Sequence, residues 1–307
     1  MRDLSIVVPT HDTRELTLRC LAALAPLADA GAQVVLVDDG SRDDTAGAVR
    51  AAHGFVEILR NEEAQGFSRA ANRGLGAARG RLLLLLNSDT EVDASVRRAL
   101  EAFESDERLG AAGAALVGTD GASQWSGGRL PTRGWLVAMA SGLPALLGAL
   151  PGYRRLRPPG AAGADAEWVT GAALLVRRAA WEQVGPLSEA FAFYGQDLDF
   201  CQRLRDRGWR VRLLADWRVV HVGGATIGRR PGSVSGVQLA LLWSDLLLWA
   251  RGHHGEAWAA RTARLMSAAV TARLLARALV RPLVPDRARW DRDSAALRSA
   301  RETLSPS

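Results

Sequence analysis

The sequence predicts an α/β protein whose core is a mainly parallel sheet. From residue 4 to about residue 118, short β-rich runs alternate with helical stretches, the pattern of βαβ units. Several of these runs end in a carboxylate or a turn. The hydrophobic fraction of 48% and the charged fraction of 23% are those of a folded globular chain, which excludes disorder over most of its length. A chain of 307 residues has room for one catalytic core plus an appendage. The expected division is a larger domain over 1–230 and a helical region over 231–307.

Four strands are expected at Leu4 to Pro9, Gln33 to Asp38, Val56 to Arg60 and Arg81 to Leu86, with a fifth at Gly110 to Val117. The helix after the first strand starts near Thr13, and Leu18, Leu21 and Leu24 recur on its sheet-facing side. Gly118 to Asp165 is rich in Gly, Pro and Ala and carries Trp125, Trp135 and Tyr153; it reads as an active-site flap or acceptor-binding insertion. Trp168 to Val176 returns to the core, and Trp217 to Val220 is one more strand. From Val237 to Val280 the chain reads as helical. No internal repeat is visible.

In open parallel sheets ligands bind outside the carboxyl ends of the strands, so residues at strand ends are the candidates for chemistry. Five leucines run into Asn87-Ser88-Asp89, which offers a hard cation an oxygen ligand at the sheet edge; the same residues suit a helix cap. Val37-Asp38-Asp39-Gly40-Ser41 closes the second strand. A carboxylate there accepts the imide N–H of a uracil or thymine base, with Pro9-Thr10 shaping the pocket, or forms an Asp-Gly turn capped by Ser41. Phe193-Tyr194-Gly195-Gln196-Asp197-Leu198-Asp199 sets two carboxylates at a helix start beside aromatic residues. That arrangement serves a general base or a pair of helix-dipole caps. His221 ends a strand before Gly223-Gly224 and reads as a metal ligand or a structural histidine in equal measure. His53, His253 and His254 read as surface residues.

Taken together, Ser5-Ile6-Val7-Val8-Pro9-Thr10, Val37 to Ser41, Gln65 to Asn72, Leu86 to Thr90, Gly171-Ala172, Gln196 to Asp199 and His221 resemble the successive signatures of family 2 glycosyltransferases with the GT-A fold. The resemblance covers residues 4 to about 224. The bacterial rhamnosyltransferase branch is most similar: it shares the Asn-x-Asp form of the metal motif and a histidine-glycine step like His254-Gly255.

The resemblance implies an inverting transfer of a sugar from a nucleotide-diphosphate donor, rhamnose from dTDP-rhamnose being the expected one. The acceptor is a hydroxyl of a glycan or lipid-linked molecule in cell-surface polysaccharide synthesis. It implies Asp197 as catalytic base, Pro9, Thr10, Asp39 and Ser88 as nucleotide-binding residues, and Asp89 with His221 as ligands of Mg²⁺ or Mn²⁺. Gln196, Asp199, Trp125 and Gly171 are the candidates for contact with the donor sugar or acceptor. Asn87 and Gln196 stand where the family usually has acids, which motivates a second reading as a catalytically inactive nucleotide-sugar-binding scaffold subunit. A sugar-phosphate nucleotidyltransferase is disfavoured, because no glycine- and arginine-rich phosphate loop ending in lysine opens the chain.

The net charge of +6 comes entirely from arginine, as the chain has no lysine. The arginines are spread out, so no nucleic-acid partner is expected, while Arg154, Arg155, Arg157 and the 261–289 stretch favour phosphate or anionic lipid. Cys20 and Cys201 suggest no disulfide framework. Met1-Arg2-Asp3 leads straight into the first strand with no signal-peptide pattern, so a cytoplasmic location is expected, at the inner face of the membrane. The apolar run Leu239 to Ala250 is too short to span a bilayer and contains Asp245. It reads as an interfacial element, or as helices packing on the catalytic domain or on a second subunit in a homodimer.

Overall fold

The computed structural model of the protein describes residues 1–143, 165–222 and 236–304. They form two compact units. The first comprises 1–129, 165–190 and 196–222, and the second comprises 130–143, 191–195 and 236–304.

The first unit is an α/β domain around an eight-stranded sheet. Its strands are β1 (Leu4–Thr10), β2 (Gln33–Asp39), β3 (Val56–Asn61), β4 (Leu82–Leu86), β5 (Thr90–Val92), β6 (Leu109–Val117), β9 (Ala173–Arg177) and β10 (Arg210–His221), in the order β3-β2-β1-β4-β9-β6-β10-β5. β7 (Gly127–Gly128) and β8 (Trp168–Val169) form a separate two-stranded ladder. The neighbours β3-β2, β2-β1, β1-β4 and β6-β10 are parallel. β9 runs antiparallel between β4 and β6, and β5 runs antiparallel on β10. The sheet is therefore mostly parallel, with two reversals that the alternation of β and α segments did not reveal. β4 is unbroken leucine because both faces of a central strand are covered.

Alternate strand residues explain which helix goes where. Leu4, Ile6, Val8, Leu84 and Leu86 pack in one core with α1 (Arg14–Asp29), α2 (Thr45–Ala52) and α4 (Val96–Ser105), through Leu21, Leu24, Val49 and Phe103. On the other face lies α3 (Phe67–Ala77). Gly74 of α3 is pressed on the sheet so closely that a Cβ there would sit 2.3 Å from Val7 Cγ1 and 2.8 Å from Val37 Cγ2. The remaining helices of this unit are α6 (Arg178–Val184) and α7 (Gln196–Asp206). Cys20 and Cys201 are buried free thiols, pushed up to about 12 by burial.

Several sequence expectations change in extent. Trp217 to Val220 is the end of a twelve-residue β10. The expected strand return at 168–176 is β8 and β9, divided at Thr170-Gly171-Ala172. Of the flap expected at 118–165, residues 144–164, including Tyr153, Arg154, Arg155 and Arg157, lie outside the described residues, as do Gly223 and Gly224.

The second unit is helical: α5 (Arg133–Ser141), α8 (Gly236–His254), α9 (Glu256–Val280), a 3-10 turn (Arg281–Leu283) and α10 (Arg287–Glu302). The helix expected to run from Val237 to Val280 is broken at Gly255, whose φ of +84° a side chain would strain. Buried Trp243 and Trp249 of α8, with Met266 and Val270 of α9 and Leu297 of α10, form its interior. No described helix is long and apolar enough to cross a membrane.

Candidate active site

The reversed strand β9 assembles the site. Because β9 enters the sheet where β4 ends, Leu86 pairs with Ala173 and the Asn87 N–H donates to Ala172 O at 2.9 Å. The Gly171-Ala172 turn thereby meets the Asn87-Ser88-Asp89 turn.

Asp197, in the first turn of α7, joins at this turn. Its Oδ2 accepts the Gly171 N–H at 3.1 Å and its Oδ1 accepts the Leu198 N–H at 2.9 Å. Burial raises its carboxyl above the ordinary carboxylate value, opposed by those two N–H donors. A Cβ added to Gly171 would stand 4.0 Å from Asp197 Cβ, so the glycine leaves the carboxylate's neighbourhood open. Asp199, two residues on, points its carboxylate to Arg203 Nε at 2.8 Å; Arg203 in turn donates to Pro186 O.

Asp89 and His221 come together through β5. The antiparallel register sets His221 opposite Thr90, the Val222 N–H donates to Asp89 O at 2.9 Å, and His221 Nε2 stands 3.3 Å from Asp89 Oδ1. Gln124 holds the ring from behind. Its Nε2 donates to His221 O at 2.8 Å, which turns its Oε1 toward His221 Nδ1 at 2.7 Å. Since an amide oxygen only accepts, Nδ1 carries the proton and Nε2 faces Asp89.

A carboxylate oxygen and an imidazole nitrogen with its tautomer held by an outer partner form a donor set that fits a divalent cation. Among the described residues no cluster of three His, Cys, Asp or Glu side chains is present. That is compatible with Mg²⁺-type sites, which take one or two protein ligands and complete their shell with phosphate oxygens and water. Asn87 Oδ1 and Gln196 Oε1 are both buried without a hydrogen-bond partner among the described residues. These are acceptor atoms facing no donor among the described residues.

The expected nucleotide-binding residues lie at the ends of β1, β2 and β4. The hydroxyl of Thr10 bonds those of Thr13 (2.9 Å) and Thr17 (2.7 Å), and Thr13 Oγ1 reaches Ser88 Oγ at 3.0 Å. Thr10 and Ser88 are thus linked inside the protein through Thr13. Pro9 is buried in β1 opposite Val37. Asp39 is buried, accepting from Asn61 Nδ2 (2.6 Å), the Gln65 N–H (2.9 Å) and the Gly66 N–H (2.8 Å) at the start of α3. Next to it opens a cleft of about 1000 Å³ walled by His11, Ser41, Arg42, Arg60 and Glu62, among others. Asp89, His221 and Asp197 are not in its walls. Trp125 is 58% exposed, one residue from Gln124, with its ring edge-to-face on Trp168 at 5.1 Å.

Two residues of the site, Gln124 and Asn61, carry no motif in the sequence. Gln124 meets His221 across 97 residues from a Gly- and Ser-rich run with no periodicity, so no local signal marks it.

The family profile described as "Glycosyl transferase family 2" matches residues 5–156. The chain is 28% identical over 251 residues to the N-acetylglucosaminyl-diphospho-decaprenol L-rhamnosyltransferase of Mycobacterium tuberculosis, covering 75% of this chain and 79% of the relative. The chain belongs to glycosyltransferase family 2. The transferase has the GT-A fold: the mannosyltransferase PcManGT of Pyrobaculum calidifontis, solved with GDP-Man and Mn²⁺, superposes with a TM-score of 0.58. That match has 17% identity and covers 98% of this chain and 86% of the other. Staphylococcus aureus TarS 1-349 with UDP-GlcNAc gives a TM-score of 0.54 at 15% identity, covering 99% and 82%.

Proposed function

We propose that the transferase moves a sugar, with inversion, from a nucleotide-diphosphate donor to a hydroxyl of a lipid-linked glycan. One observation carries this reading: a carboxylate of raised pKa, Asp197, stands on the Gly171-Ala172 turn, which hydrogen-bonds directly to the turn bearing the Asp89–His221 pair.

Asp197 acts as general base. Its elevated basicity suits proton removal from an alcohol, and the Gly171 N–H keeps the carboxylate aimed while the proton arrives. The acceptor oxygen forms its bond to the anomeric carbon as the bond from that carbon to the diphosphate breaks. The nucleoside diphosphate leaves, the proton stays on Asp197, and one displacement inverts the centre. No covalent enzyme intermediate is required.

Asp89 and His221 would hold Mg²⁺ or Mn²⁺, which when bound neutralises charge on the departing diphosphate. Pro9, Thr10 and Asp39 stand at the strand ends beside the cleft that would take the base, and Ser88 stands between Thr13 and the metal-binding Asp89. The anchored state of Asp39 makes the loop it fastens, as well as its carboxylate, part of that subsite. The partnerless oxygens of Asn87 and Gln196 suit a donor or acceptor hydroxyl, and Trp125 suits the apolar face of a sugar.

The relative from Mycobacterium tuberculosis is named for transferring L-rhamnose to a diphospho-decaprenol-linked sugar. That supports dTDP-rhamnose as donor and a polyprenyl-diphosphate-linked acceptor reached at the inner face of the cell membrane. The test incubates the protein with Mg²⁺ or Mn²⁺ and a panel of nucleotide sugars, recording nucleoside diphosphate release with and without EDTA beside Asp89→Ala and Asp197→Asn. Release from dTDP-rhamnose that needs metal and both aspartates is expected. Release that persists in EDTA or in Asp197→Asn overturns the assignment of roles.

A further inference from the structure

The helix α9 is apolar on two sides, and only one of them is covered. Ala259, Thr262, Met266 and Val270 are buried in the helical unit. On the other side Leu265, Ala268, Ala272, Leu275 and Leu279 recur at alternating spacings of three and four, which places them on one face. This stripe is bare. Leu265 is 49% exposed, Leu275 64% and Leu279 81%, and Leu283, in the 3-10 turn that follows, is 83% exposed. From Leu265 to Leu283 it extends about 27 Å at helical rise. A helix that is apolar all round is ordinarily enclosed, so the uncovered leucines call for an occupant.

The charges around the stripe say what kind. Between Glu256 and Asp286 there is no carboxylate, while Arg261, Arg264, Arg273, Arg277 and Arg281 fall in that interval. Three of these are engaged inside the unit. Arg277 stacks on Trp290 at 3.6 Å, Arg281 pairs with Asp291, and Arg273 is partly buried. Arg261 and Arg264 are exposed and have no ion-pair partner among the described residues; helical geometry puts Arg264 at the edge of the leucine stripe and Arg261 in line with it, one turn before Leu265. A second copy of the same surface would set arginine against arginine. An anionic bilayer surface offers both an apolar layer for the leucines and phosphates for the guanidiniums.

We propose that the Leu265–Leu283 face of α9 and its 3-10 extension is a membrane-docking surface that lies in the headgroup region of an anionic lipid leaflet. The assignment deepens the proposed use of a lipid-linked acceptor. Lipid binding needs neither donor nor acceptor, however, so it fails or succeeds separately from that reading.

The test is co-sedimentation of the full chain with vesicles of phosphatidylcholine alone or with added phosphatidylglycerol, at low and high salt, beside light scattering of the protein in solution. Expected are binding that requires phosphatidylglycerol and weakens with salt, and a loss of about tenfold or more for Leu275→Gln/Leu279→Gln. Arg261→Gln and Arg264→Gln should each cost about fivefold. All these positions are exposed, and an unchanged melting temperature shows that each variant folds. Absence of wild-type binding to either vesicle overturns the proposal, as does binding that the leucine variants leave unchanged. A solution dimer that Leu275→Gln/Leu279→Gln dissociates, with no vesicle binding, assigns the face to a second copy instead.

Discussion

His221 Nε2 stands 3.3 Å from Asp89 Oδ1, and the ring is held there by Gln124, which binds both Nδ1 and the backbone oxygen of His221. The amide donates to the carbonyl, so only its oxygen is left for the ring. Replacing Gln124 by Leu removes the acceptor that fixes the tautomer while keeping the volume. We expect divalent-metal affinity in the presence of nucleoside diphosphate to fall about 10- to 100-fold. Calorimetric titration with Mn²⁺ checks this, and an unaltered affinity would separate Gln124 from the metal site.

Asp197→Asn should lower kcat by about 10²- to 10⁴-fold with donor affinity retained, because the amide keeps the shape and loses the base. The raised carboxyl also has a signature in stability. A group whose folded value lies above its unfolded value stabilises the fold fully below the ordinary carboxylate range, and that contribution is lost as pH rises through the raised value. The melting temperature of Asp197→Asn relative to wild type should therefore climb as pH rises above the ordinary carboxylate range, whatever the constant offset from losing one N–H acceptor. A flat difference would contradict the raised value.

Strand ends were legible from single residues: the leucine run into Asn87-Ser88-Asp89 and the Val-Asp-Asp-Gly-Ser turn both stop where the sheet stops. A central strand must be apolar on both faces and its edge must turn, so local composition suffices. The reversed β9 and the three-residue β5 left no such trace. β9 reads like any buried strand, and its direction depends on where the preceding chain delivers it. The pairing of His221 with Thr90 spans more than a hundred residues and rests on a strand too short to show a period. Asp39 illustrates a subtler limit. Its strand-end position was plain in the sequence, but its fastening of α3 through the Gln65 and Gly66 N–H groups appears only in three dimensions.

That fastening makes Asp39→Ala a stability variant as well as a binding variant. Two backbone donors and the Asn61 amide lose their acceptor, which should cost about 2–4 kcal/mol in urea unfolding. Gly40, whose φ is +72° and whose Cβ would sit 2.7 Å from Ala64 N, holds the same loop from the other side. Gly40→Ala should loosen it too, and hydrogen exchange of the Gln65 and Gly66 amides would report both changes.

The one carboxylate in the apolar run of α8 has a structural account that bears on how the helical unit is fixed. Asp245 is 3% exposed, and its two oxygens accept the N–H groups of Ala192, Phe193 and Tyr194 at 3.0, 2.9 and 2.7 Å. Three consecutive amides converge on one charge, and Gly195 follows at φ +89° with the Phe191 ring 3.0 Å from where a Cβ would stand. The segment runs directly on into Gln196-Asp197. Asp245→Asn leaves a single good acceptor for three donors and should destabilise the fold by about 2–4 kcal/mol. It should also lower kcat more than donor affinity, since the chain that leads into the base is the part released. Urea unfolding measures the first effect and steady-state kinetics at saturating donor the second. A variant as stable as wild type would show that the three contacts are dispensable, and a loss confined to donor KM would place their effect elsewhere than on Asp197.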